Sequence, residues 1–167
     1  MLAELIRQDY SFPFGEARIR LRYSLADFLE LEKRDLFYMD IFAEELSYVV
    51  IMTFFKVGLV DKLPDKTIEE IIECAGITNI WDDCRAAMRR SIPEKDPLII
   101  PDLSGDKQGE FSFVRLRTLI VDIMRKSEEF FWNSTLAELI SRWQEYAYAM
   151  GYAKPPEKVQ MRDTEGM

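Results

Sequence analysis

Residues 17–34 read ARIRLRYSLADFLELEKR, and two periodicities meet in them. Ala17, Ile19, Leu21 and Tyr23 alternate with Arg18, Arg20 and Arg22, the period of two that gives a strand one buried and one wet face. From Ser24 the spacing becomes helical. Leu25, Phe28, Leu29 and Glu32 follow a Ser24–Asp27 pair with the form of a capping signal. Pro13 and Gly15 just upstream suit a hairpin or bend into a short edge strand. The arginines read as that strand's solvent face and not as a binding stripe. No other stretch carries so clear a strand signal. The expected fold is therefore mainly α, a helical bundle with a short N-terminal β-hairpin or strand pair and a C-terminal helical hairpin.

Downstream, the spacing predicts a helix from about Asp40 to Val60, apolar on most sides and so placed centrally, with Gly58 near its end and Pro64 enforcing the break. Thr67 and Glu70 have the spacing of a capping box for a short helix striped by Ile68, Ile71, Ile72 and Ala75 and closed by Gly76. Thr78 or Asn79 opens the next, with Trp81, Cys84 and Met88 on one face. Three prolines and two glycines then interrupt residues 92–111, a linker too long for an ordinary connection. It divides an N-terminal portion, 1–91, from a C-terminal hairpin, 112–153, and its PLIIP patch is expected to dock on the body. In the hairpin, Phe113, Leu116, Leu119, Ile120, Ile123 and Met124 make one inner face, and Leu136, Leu139, Ile140, Trp143, Ala147 and Met150 the other. Ser127 caps a single turn between them. Thr135 and Glu138 form a second capping box, and Glu138 pairs with Arg142 at i,i+4 on the outer side. Residues 154–167 read as a flexible tail.

Composition narrows the function. The chain of 167 residues is 48% hydrophobic and 31% charged, as a folded globular protein is. Its formal charge of −8 argues against nucleic-acid binding, which needs clustered Lys and Arg. There is no histidine, which removes the commonest general base, His-paired nucleophiles and His-containing zinc sites. Cys74 and Cys84 have no CxxC spacing and lie in apolar helical stripes, so both read as buried free thiols in a reducing compartment. The N-terminus has no signal-peptide pattern, and the most apolar run, Leu46 to Val60, is too short to span a bilayer. The expected setting is the cytoplasm, away from membranes.

Adjacent acid pairs such as Glu44–Glu45, Asp82–Asp83 and Glu128–Glu129 diverge by about 100° on a helix and seldom converge on one proton or metal. The glycines never assemble into a phosphate-binding loop, and no GxSxG, HExxH or EF-hand motif occurs. The reading is a non-enzyme with no cofactor and no metal, whose work is protein recognition. Phe130, Phe131 and Trp132 cannot all face inward from one helical turn. With Trp143, Tyr146 and Met150 they are the candidate partner-binding residues, since aromatics and Met are enriched at adaptable interfaces.

Three stretches together resemble the tail assembly chaperones of tailed bacteriophages. ARIRLRYSLADFLELEKR resembles that family's opening strand and a helix ending in Leu-Glu, here Leu31-Glu32. KVGLVDKLPDKTIEEII, residues 56–72, is similar to its Gly-Leu landmark before a short capped helix. SEEFFWNSTLAELISRW, residues 127–143, resembles its acidic-aromatic turn, with Trp132, Thr135, Glu138 and Leu139 carrying the match. The resemblance spans residues 16–150 and implies a protein that binds the tape measure protein in the host cytoplasm and keeps it soluble while the tail tube assembles. It also implies that the linker marks a boundary like that between the family's frameshift products. Alternatives are a structural tail or head-completion protein retained in the virion, a small acidic inhibitor, and an enzyme with an unfamiliar carboxylate site. A homo-oligomer is compatible with each.

Overall fold

In the computed structural model, which describes residues 9–37, 40, 46–93 and 113–152, the chain opens with the expected hairpin. Most of the linker with its PLIIP patch, and the tail at 154–167, lie outside the described residues. Strands β1 (Tyr10–Phe14) and β2 (Ala17–Leu21) pair antiparallel from Tyr10↔Leu21 to Phe14↔Ala17. Gly15 takes φ +58° at the first of the two turn residues, the position that a type II′ turn reserves for glycine. Phe12, Ile19 and Leu21 face the core. Ala17 is exposed, contrary to the alternation, because it adjoins the turn. Arg18 donates to Ser11 Oγ at 3.0 Å, and Arg20 donates twice to the Asp61 carboxylate at 2.9 and 3.1 Å. Arg18 and Arg20 thus have acceptors on a wet face, whereas Arg22, past the end of β2, is half-buried. β2 also bridges Leu59 through Leu21, with Val60 N–H donating to the Arg20 carbonyl.

Helix α1 (Leu25–Glu32) starts at a complete capping box. The Ser24 side chain accepts from Asp27 N–H, and the Asp27 carboxylate accepts from Ser24 N–H at 2.8 Å. Leu25, Phe28 and Leu31 are buried, whereas Leu29 lies outside. Helix α2 (Tyr48–Gly58) starts later than its apolar run suggests, because Ser47 caps it by accepting from Val50 N–H. Residues 41–45 of the expected helix lie outside those described. Ile51, Phe54, Phe55 and Val57 face the core, while Tyr48 and Val49 face solvent. Tyr23 is fully buried against the end of α2 and donates its hydroxyl to the Phe54 carbonyl at 3.0 Å.

Helix α3 (Asp65–Ala75) begins before Thr67, with Pro64 as its cap and no side-chain cap bond. The expected Thr67–Glu70 box therefore falls inside a helix already under way. Gly76, at φ +84°, ends α3 and directly precedes α4 (Ile77–Ser91). Ile68, Ile71 and Ile72 of α3 and Trp81, Cys84 and Met88 of α4 enter the core, but Cys74 is exposed. Six positions from Ile68, it has rotated off the isoleucine stripe.

Helix α5 (Phe113–Arg117) widens into a π-helix (Thr118–Ile123), followed by α6 (Glu128–Asn133) and α7 (Leu136–Ala149). The π stretch changes the helical phase, so the predicted inner face is only partly inside. Leu116, Leu119 and Ile120 are buried, Ile123 and Met124 half-buried, and Phe113 exposed. Arg125 takes φ +57° to turn the chain, and Ser127 caps α6 by accepting from Phe130 N–H at 3.0 Å. These helices share the core of the N-terminal portion: α6 packs on α1 and α7 on α4. Leu25 N–H donates to the Ser134 carbonyl at 3.1 Å across that junction.

Candidate functional site

The sequence-nominated aromatics divide between core and surface. Phe131 and Trp143 are buried and belong to the hydrophobic core. Phe130 and Tyr146 are half-buried against that core, and Trp132 and Met150 are exposed. On α6, the Phe131 and Trp132 rings meet edge-on at 5.1 Å. On α7, Tyr146 lies 5.7 Å from Trp143 and 6.4 Å from Tyr152. Arg142 stands between the two sets, its guanidinium 5.3 Å from the Phe130 ring. Met150 misses the α7 stripe because it caps the helix, with Gly151 at φ +74° after it.

Beneath these aromatics lies a polar network. Glu138, expected on the outer side, is buried. Its carboxylate accepts from Arg142 at 3.3 Å and from Arg22 at 3.4 Å, and Arg22 also donates to the Asn133 carbonyl at 2.5 Å. Thr135 Oγ accepts from Glu138 N–H at 3.1 Å. The cap thus forms, while the Glu138 side chain answers the arginines. These bonds tie the exit of β2 to α6 and α7 and hold the aromatic turn in place.

A second feature has no counterpart in the sequence reading. Between α1 and α2 runs a groove of about 550 Å³, lined on the α2 side by Tyr48, Val49, Met52, Thr53, Lys56 and Val57. Asp27 and Glu30 of α1, with Arg34 just past its end, form the other wall, and Lys62 also lines the groove. Tyr48 is 53% exposed and Val49 is 70% exposed, so the apolar wall faces solvent. The signal that could have found it was the apolar excess of α2. That excess reads as central burial, but part of it sits opposite the core face.

The wall charges are partly spoken for. Asp27 accepts from the Ser24 hydroxyl at 2.7 Å as well as from its N–H. Glu30 accepts from Arg34 at 3.0 Å, and this bond holds its carboxyl below the usual range. Lys56 pairs with Asp65 at 2.8 Å. Lys62 has no ion pair among the described residues.

Two further titratable clusters serve the frame. Tyr10 donates its hydroxyl to Asp83 at 2.5 Å, and this bond, with burial, pushes the phenol up to about 12. Burial pushes the Cys84 thiol up to about 12, leaving it protonated at neutral pH. Among the described residues, no cluster of three His, Cys, Asp or Glu side chains could hold a metal, and no helix is long and apolar enough to cross a membrane. No protein-family model, curated protein or solved structure matches this chain.

Proposed function

We propose that this chain is a non-catalytic tail assembly chaperone of a tailed bacteriophage, binding the tape measure protein in the host cytoplasm and keeping it soluble. The observation that carries this reading is the apolar wall of α2, left open to solvent in a groove between two helices. A long helical partner presents amphipathic faces, and helix-in-groove docking is the mode by which an exposed cleft of this kind receives them. The ordered landmarks at residues 17–34, 56–72 and 127–143 support the same reading. Exposed Trp132 on α6 and exposed Met150 at the end of α7 offer further apolar contacts to a partner long enough to reach them.

Co-expression with the tape measure protein encoded beside this chain tests the proposal. The expected result is a soluble complex that Val49→Asp disrupts while the variant chain still folds. An insoluble tape measure with this chain soluble and alone would sink it. Finding the chain as a stoichiometric part of purified virions would favour a structural role instead.

A further inference from the structure

We draw no further inference here: the strongest candidate, the groove between α1 and α2 with Tyr48 and Val49 exposed on its apolar wall, belongs to the site already described, and nothing in the structure shows what covers it.

Discussion

Tyr23 and Gly58 depend on each other. A Cβ added at Gly58 would stand 2.6 Å from the Tyr23 ring, and the ring cannot retreat because it is fully buried. Gly58→Ala is therefore expected to cost about 1–3 kcal/mol, as overpacking does in a tight core. A lowered urea midpoint would register it, and an unchanged midpoint would mean that Tyr23 has room to move. Tyr10 makes a different prediction, one of pH. Its phenol is held up to about 12, chiefly by donation to Asp83, against an unfolded value of 10.0. The folded state thus binds this proton more tightly. The stability it contributes is complete below about pH 10 and is lost as pH rises towards 12. Tyr10→Phe should remove that part of the alkaline decline in stability, measured by denaturant titration at successive pH values. Identical pH profiles for the two proteins would refute the assignment.

Among the secondary elements, the junction of β2, α6 and α7 depends most on one side chain. Glu138 is buried and accepts from Arg22 and Arg142, which remain about one-third and one-quarter exposed. Removing the carboxylate leaves guanidinium groups that can turn towards water, so the loss should fall below that of a fully buried pair. Glu138→Ala is expected to cost about 2 kcal/mol, against less than about 0.5 kcal/mol for exposed Glu129→Ala. Thermal denaturation of both variants checks the contrast, and equal losses would show that the Arg22–Glu138–Arg142 network adds nothing. The π-helix at Thr118–Ile123 is the other element with a consequence. Leu119 and Ile120 at its start are buried, and the change of phase beyond them leaves Ile123 only half-buried.

Over the whole molecule, the two portions on either side of the linker share one hydrophobic cluster. Phe131, Leu139 and Trp143 from the C-terminal side lie in it with Leu25, Phe54 and Met88 from the N-terminal side. A chain ending at residue 111 would lose that cover from α1 and α4. The expectation is that residues 1–111 alone show no cooperative unfolding transition and aggregate, with calorimetry and light scattering as the measurements. A sharp transition would show that the N-terminal portion folds alone. The negative charge that favours solubility in the intact protein would not offset apolar surface on that scale.

Much of the frame was legible before any coordinates. The change from period two to helical period at Ser24, the Ser24–Asp27 box, the Ser127 cap and the Trp81–Cys84–Met88 stripe all appear as read. Each is settled by bonds or spacings within a few residues. The starts of α2 at Tyr48 and of α3 at Asp65 differ from the expected ones, since Ser47 caps α2 from within the apolar run and α3 begins after Pro64 with no side-chain cap to mark it. Burial of Glu138 was not legible at all, since one of its partners, Arg22, lies 116 residues away in the chain. The groove was hidden for the same reason. Periodicity tells which sides of a helix are apolar or charged, whereas tertiary packing leaves Tyr48 and Val49 of α2 in the open and draws Phe131 and Trp143, on α6 and α7, into the core. Local spacing determines where an element begins and which face is apolar. What covers that face depends on residues far away in the chain, and only folding brings them together.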